Sequence, residues 1–510
     1  MNHHPLFAYS IHTWCFTLQL GHLSNYTATH FWNAQEAYFT YSQDQESSVD
    51  HDVHWRPGIA ADGSDTFLPR TVIYDLKGGF GSLRKINALY EDESAVVQPD
   101  VPSSSPVWPG KSVLHKQQPL EVSAYQLSLD DGRQPERLSK SAVRYWSDFS
   151  RVYYHPKSLV QLYDFELNSS IRPFERYPMG VELFQTLDKE FDIVDRDFRP
   201  FVEECDRMQG IQALATLDDA WGGFAAKYLD ELRDEYPKSC IWLWGLQSPL
   251  VDVTREKRQL RLTNTAQAIA EVRSSASMVV PLMMPERGAP SNTHIDPTSP
   301  WHVSAAFATA IETANLGSRL TEKAMPHAPS MWDMAEGLNT GGSQTLAGLR
   351  LGVGSAAGTL DDDNDGVDFF SFGRLASLTG RQTKRGRLFG EVNMLRGSQL
   401  DQANVAEEDT RQPTRRLVGD PVTQKFNSSL KFPILDSFPH IYSESKDQPE
   451  IAVQTILSTT KSVGTHVKAL KAQTVRSVSV DERETISNDL AEIADAYQDD
   501  WSSGSDEDDD

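Results

Sequence analysis

Cys205-Asp206-Arg207-Met208-Gln209-Gly210-Ile211-Gln212, followed four residues on by Leu217-Asp218-Asp219-Ala220-Trp221-Gly222-Gly223, is the stretch on which the fold reading turns. Helical patterns over 197–217 and 225–236 flank it, so a short glycine-bearing turn is expected between two helices. Glycines in such a turn let consecutive backbone N–H groups point at an anion without side-chain clash. Here two acids stand ahead of the glycine pair. Upstream, 13–20 is a strand-like run that ends at Gly21, and 27–41 reads as a helix with Phe31, Trp32 and Tyr38 on one side. Strand, glycine turn and helix in that order open a doubly wound domain of the nucleotide-binding type.

Further out, 70–76 is a second strand, β-branched and aromatic, ending in Lys77-Gly78-Gly79. Residues 43–65 are polar and read as loop. Residues 91–137 carry six prolines and the run Ser103-Ser104-Ser105, and read as a partly ordered insertion. A buried strand is expected at 239–245, helices at 263–273 and 301–315, and a strand at 278–284 between them. A second α/β portion starts near Pro326, interrupted at 360–366 and 399–416, and 487–497 is a late helix. The expected architecture is α/β: a doubly wound N-terminal domain over 13–260, a smaller α/β domain over 261–486, and a terminal helix and acidic tail over 487–510.

The 510 residues suffice for two or three packed domains. A net charge of −24 argues against a nucleic-acid-binding surface and against adhesion to anionic lipid. Residues 499–510 hold seven acids and no base and read as a solvated tail, within which Ser502-Ser503-Gly504-Ser505-Asp506-Glu507 has the look of an acidophilic kinase target. Cys15, Cys205 and Cys240 are odd in number and widely spaced, which gives neither a zinc pattern nor a complete disulfide set and fits a reducing compartment. No apolar run approaches the roughly 18–20 residues of a membrane span, and the start lacks a secretory or transit signal. Asp361 to Gly366 imitates half of a calcium loop, but Phe372 takes the place of its final glutamate. His51 and His54 lack a third ligand. No Walker A motif and no Ser/His/Asp or Cys/His set can be defended.

Four segments carry a family resemblance. Residues 205–212 resemble the CDxLQGFQ helix of tubulins, and 217–223 stand where tubulins have GGGTGSG, the loop that holds the nucleotide's phosphates. Leu18-Gln19-Leu20-Gly21-His22-Leu23-Ser24-Asn25-Tyr26, with Phe31-Trp32 beyond, resembles the tubulin opening IQIGQCGNQ…FW, in which Gly21 and Asn25 match. Pro69-Arg70-Thr71-Val72-Ile73-Tyr74-Asp75-Leu76-Lys77, then Ser82-Leu83-Arg84, resembles PRAVLVDLEPG…SVR. Gly337-Leu338-Asn339-Thr340-Gly341-Gly342-Ser343-Gln344 lies where tubulins place NxDxxE, the loop that reaches the neighbouring subunit's nucleotide. Among tubulin relatives the combination is similar to the misato family, the Dml proteins of fungi, which are connected with mitochondrial partitioning and mitochondrial DNA inheritance.

The resemblance implies a nucleotide site with altered charges. Two like charges about 4 Å apart at an effective dielectric near 20 repel by roughly 4 kcal/mol. Asp218 or Asp219 facing the phosphates is therefore expected to cost about two to three decades of affinity. The other reading is that both side chains turn outward and cap the following helix. Lys77 takes the place of an acid near the nucleotide-bound magnesium and cannot ligate a cation. It either pairs with a phosphate or is a solvated turn residue, and Asp75 alone is a poor magnesium site. Gly341 and Gln344 replace the two acids of the last motif, leaving Gln344 at most to orient a water.

Gly21, Asn25, Asp75, Lys77, Gly222, Gly223 and Asn339 are the candidates for a residual nucleotide pocket. No catalytic or metal residue is assigned, and no cofactor is expected beyond residual GTP or GDP binding. The resemblance implies a non-catalytic cytoplasmic protein, peripherally associated with mitochondria, whose partners are proteins at that surface, tubulin or a chaperonin among them. Two other classes stay open: a working GTPase that self-assembles as tubulin and FtsZ do, and an adaptor for tubulin folding or for a chaperonin.

Overall fold

The computed structural model describes residues 13–40, 46–59, 65–83, 120–205, 207–285, 292–354, 360, 366–372, 386–397, 420–446 and 448–498. Strand β1 (Trp14–Leu20) runs through six consecutive buried residues into Gly21 and helix α1 (His22–Glu36). A hairpin, β2 (Trp55–Ile59) with β3 (Asp65–Pro69), leads into β4 (Thr71–Lys77). Helix α2 (Ala124–Asp130) precedes β5 (Leu159–Glu166), α3 (Tyr177–Phe191) and α4 (Arg199–Val202). There follow β6 (Met208–Thr216), α5 (Ala220–Glu235), β7 (Ile241–Leu246), α6 (Arg255–Val272) and β8 (Met278–Leu282). Six of these strands form one parallel sheet in the order β5-β4-β1-β6-β7-β8.

Helices α3, α5 and α6 cover one face of this sheet. The other face is covered by α1, α7 (Pro300–Ala314) and α8 (Met331–Leu338). Beyond α7 lies a mixed sheet of β9 (Gly348–Val353), β10 (Val367–Asp368), β11 (Leu388–Arg396), β12 (Val422–Ser428) and β15 (Val453–Thr460), in the order β10-β9-β15-β11-β12. The short pair β13 (Phe432–Pro433) and β14 (Glu450–Ile451) stands beside it. A hairpin of α9 (Lys461–Thr474) and α10 (Val480–Asp495) returns to pack on α6. The α/β class and its second portion are as expected.

Several expectations need correction. The 197–217 segment is not a helix: α4 is four residues long, and Met208–Thr216 is a central strand between β1 and β7. Both of its faces are covered by helices, so it shows no apolar/polar alternation and its period is ambiguous from sequence. Gly210 is needed there because a Cβ would stand 2.7 Å from the Cys240 carbonyl oxygen. The polar 43–65 stretch contains β2, anchored by Trp55, which is buried edge-on against Trp32. Helix α1 starts five residues earlier than the pattern suggested. The expected boundary near 260 falls inside α6, and β8 beyond it completes the first sheet. Of the proline-rich insertion, 91–119 lies outside the described residues, whereas Ser123 caps α2, whose Tyr125 and Gln126 are buried. The acidic tail 499–510 and the calcium-like 361–365 also lie outside the described residues, and Phe372 is core.

One buried charge cluster joins the layers. Glu312 of α7, Arg319 and Arg396 of β11 have fully buried side chains. Glu312 Oε1 accepts from Arg319 Nη2 at 2.5 Å and from the Tyr38 hydroxyl at 2.9 Å, while its Oε2 pairs with Arg396 Nη1. Arg396 Nη2 also donates to Tyr38 Oη and to the Lys431 carbonyl, both at 2.7 Å. Burial alone would raise the Glu312 carboxyl; the two guanidinium groups outweigh it and hold the group below its ordinary value. Removing the one anion from such a set strands two buried cations. Glu312→Gln is therefore expected to lower unfolding free energy by about 3–5 kcal/mol, read as a fall in the urea midpoint at constant m-value. An unchanged midpoint would show that the cluster does not hold the two sheets together.

Candidate functional site

In a doubly wound sheet the ligand crevice lies outside the carboxyl ends of the strands, where the strand order reverses. Here that point is between β1 and β6, and the turns that frame it are Gly21, 217–219, and the end of β4. Gly21 has φ +100° and opens α1 without any side-chain cap. Only glycine takes that conformation readily. A Cβ there would lie 2.8 Å from Cδ1 and 3.0 Å from Nε1 of Trp221. The indole of Trp221, 3% exposed, thus rests directly on the Gly21 turn. Phe174 and Phe224 meet it edge-on, each with ring centres 5.5 Å away.

Local chemistry directs Trp221 there. Asp219 is the N-cap of α5: its Oδ1 accepts from the Trp221 N–H at 2.9 Å and from the Thr216 hydroxyl at 2.8 Å. Gly222 and Gly223 belong to the first turn of α5. Gly222 packs under the Leu217 carbonyl and near Ala268, and a Cβ on Gly223 would overlap the Tyr177 carbonyl oxygen of α3. Their bare Cα atoms serve close helix packing.

Asp218 is buried, and its Oδ2 accepts from the Ser248 N–H at 3.0 Å with Arg261 Nε at 3.6 Å. Burial raises its carboxyl and Arg261 opposes the rise. The cavity beside it, bounded among others by Gln247, Ser248, Arg261 and Thr265, has about 10 Å³, space for one water. The expectation that one of these acids faces a bound phosphate is corrected: Asp219 caps the helix, which was the alternative reading, and Asp218 turns inward.

Gly21, Asn25 and Asp75 do come together. Asp75 is fully buried at the end of β4. Its Oδ2 accepts from Asn25 Nδ2 at 2.9 Å and Trp146 Nε1 at 3.2 Å and lies 3.3 Å from His22 Nδ1, and its Oδ1 accepts from the Leu76 N–H at 2.9 Å. Gly79 presses on the same carboxylate so closely that no Cβ fits. Lys77 is exposed, and its carbonyl accepts from the Leu167 N–H. Asn339 stands with another group: it ends α8, and its Oδ1 accepts from the Gln344 N–H at 2.7 Å. The Gln344 amide is used internally as well, accepting from Thr340 Oγ1 and the Gly341 N–H and donating to the Ala496 carbonyl. His51 stacks on Phe39 at 3.9 Å and His54 is buried, and among the described residues no three His, Cys, Asp or Glu side chains are grouped to hold a metal. Sequence reading missed Trp221, His22 and Trp146. The available signal was a large aromatic directly before a glycine pair.

Burial and the nearby Asp218 push the Asp219 carboxyl up to about 7. A carboxyl raised on folding ionises more readily in the unfolded chain. Its effect is a loss of stability that sets in above about pH 4, is complete near pH 7 and is level beyond. Both of its hydrogen bonds run to Oδ1, which asparagine keeps. Asp219→Asn should raise unfolding free energy by about 1 kcal/mol at pH 8, with the gain vanishing toward pH 4 in urea titrations. A gain independent of pH would mean that the carboxyl is not displaced.

With this geometry in place, comparison with known proteins is informative. Residues 15–131 match the Misato Segment II tubulin-like domain and residues 135–320 the Tubulin domain. Protein DML1 of Gibberella zeae is 54% identical over 503 residues, covering 97% of this chain and 99% of its own length. Protein dml-1 of Neurospora crassa is 45% identical over 543 residues, and Protein DML1 of Yarrowia lipolytica 27% over 516, with the same shares covered. The chain belongs to the misato/DML1 family of tubulin-like proteins.

Proposed function

We propose that the chain is a non-catalytic scaffold with a degenerate guanine-nucleotide site, acting at mitochondria in their partitioning and in the inheritance of mitochondrial DNA. One observation carries the first half: the Trp221 indole rests on Gly21, at the switch point where a tubulin-like fold would seat phosphates. A triphosphate does not fit these residues as they stand. It would have to displace an indole wedged among three aromatic and glycine contacts. Asp75, the one acid left near the expected magnesium, already accepts from Asn25, Trp146 and Leu76. The working-GTPase reading has less support, because the Gln344 amide that would orient water is spent on Thr340, Gly341 and Ala496.

The mitochondrial half rests on the family resemblance. On this reading the protein reaches the organelle from the cytoplasm and works through protein partners at its surface, tubulin or a chaperonin among them. Among the described residues no helix is long and apolar enough to cross a membrane, which fits peripheral attachment. Titration of the purified chain with fluorescent GTP and GDP, with and without magnesium, should show no saturable binding up to about 100 μM and no phosphate release, whereas Trp221→Gly should gain about tenfold or more in affinity. Micromolar binding with turnover by the unaltered chain would sink the proposal. Loss of mitochondrial DNA on depletion, restored by the unaltered chain and equally by a variant of the exposed Lys77, Lys77→Ala, is the expected cellular outcome; failure of either to restore it counts against the proposal.

A further inference from the structure

Residues 167–176, between β5 and α3, form a strap across the Trp221 crevice. It is built on an aromatic stack: Phe165 and Phe174 have ring centres 4.6 Å apart, Phe174 meets Trp221 at 5.5 Å, and the Arg172 guanidinium lies 4.4 Å over Phe165. Its tip is open, with Ile171 95% exposed. Its far end is held by a buried side chain, Asn264, in the middle of α6 and 1% exposed. Asn264 Oδ1 accepts from the Tyr177 N–H at 3.1 Å, and its Nδ2 donates to the Glu175 carbonyl at 2.7 Å and to the Asp218 carbonyl at 3.0 Å. One amide therefore satisfies the end of the strap and the turn that precedes Trp221 at once. Asparagine is a poor choice for a helix interior, and burying it requires that its polar atoms be matched.

We propose that Asn264 and Phe174 form a latch that holds Trp221 in the crevice, so that closure depends on a displaceable strap. This rests on reading the crevice as a closed former nucleotide site and adds how the closure is kept. The other hydrogen bonds and ion pairs of the strap include Leu167 N–H to the Lys77 carbonyl, Ser169 N–H to the Glu166 carbonyl, Arg172 N–H to the Ser169 hydroxyl at 3.2 Å, and a part-exposed Lys257–Glu175 pair at 2.6 Å. Without Asn264, two carbonyls and an N–H lose their partner together and turn to water, and segments with few buried contacts open first. Asn264 acts through Trp221 and is a positioning residue.

Hydroxyl-radical footprinting of the full chain, read by mass spectrometry as the ratio of Trp221 to Trp242 oxidation, tests the latch. Trp242 is buried in β7 and reports global opening. Asn264→Ala and Phe174→Ala should each raise the ratio about fivefold or more, and Lys257→Gln, which breaks only the outer ion pair, should leave it unchanged. A ratio unaltered in both of the first two variants, or one already high in the parent, overturns the latch. The readout involves no nucleotide. Failure here leaves the reading of the crevice standing, and nucleotide binding by the parent would remove that reading without touching the footprint.

Discussion

Helices α3 and α5 touch backbone to backbone, and much of the crevice follows from that contact. A Cβ on Gly180 would fall inside the Ala220 carbonyl, and one on Gly223 inside the Tyr177 carbonyl. Two bare Cα atoms, one per helix, let the axes approach more closely than any side chain would permit. The first turn of α5 is thereby fixed in rotation as well as in distance. Trp221, one residue beyond Ala220 and so turned by about 100°, is carried off the α3 interface toward the exit of β1. There Gly21 leaves room for it, and Phe224 and Phe174 close around it. The glycines that a motif reading assigns to a phosphate have a helix-packing role in this chain.

What was legible in the sequence was the frame. The runs that became β1, β4, β7 and β8 are mostly apolar, aromatic or β-branched stretches ended by glycine or polar turns, and such runs report buried parallel strands. Gly21 after β1 was legible as a turn, and Asn25 and Asp75 as its companions. Met208–Thr216 was not, because Met208, Gln209, Gln212, Ala213, Leu214 and Ala215 favour helix and a strand covered on both faces has no period to set against them. Asp218 and Asp219 were legible as charges but not as directions. Whether a carboxylate faces a ligand or the backbone depends on donors brought from elsewhere, here Ser248 and Arg261 for one and the next turn of its own helix for the other. Trp221 was least legible of all, since its position depends on the spacing of two helices that share no sequence motif.

The three acids near the crevice show how the chain accommodates negative charge at the carboxyl ends of the sheet strands. Asp75 is surrounded by donors from α1, from Trp146 and from its own backbone. Asp218 is drawn to a guanidinium. Asp219 caps α5, and burial with Asp218 beside it makes its carboxyl hold the proton more tightly than usual. The hydrogen bonds of all three run to groups of the chain itself. On the proposed reading, the bulk of Trp221 keeps a phosphate out, rather than two unpaired charges aimed into a loop.

An indole buried in the crevice also contributes to stability. A ligand present at about a thousand times its dissociation constant stabilises a fold by about 4 kcal/mol. A protein that ceases to bind loses that contribution unless side chains replace it. Burying an aromatic side chain of about 150–250 Å² is worth about 4–6 kcal/mol at about 25 cal/mol/Å², as an upper estimate. On the proposed reading, Trp221 returns to the sheet roughly what a nucleotide would have given, and it does so independently of nucleotide supply. On that same reading, a scaffold whose shape must persist while cellular GTP varies is better served by an indole than by a ligand.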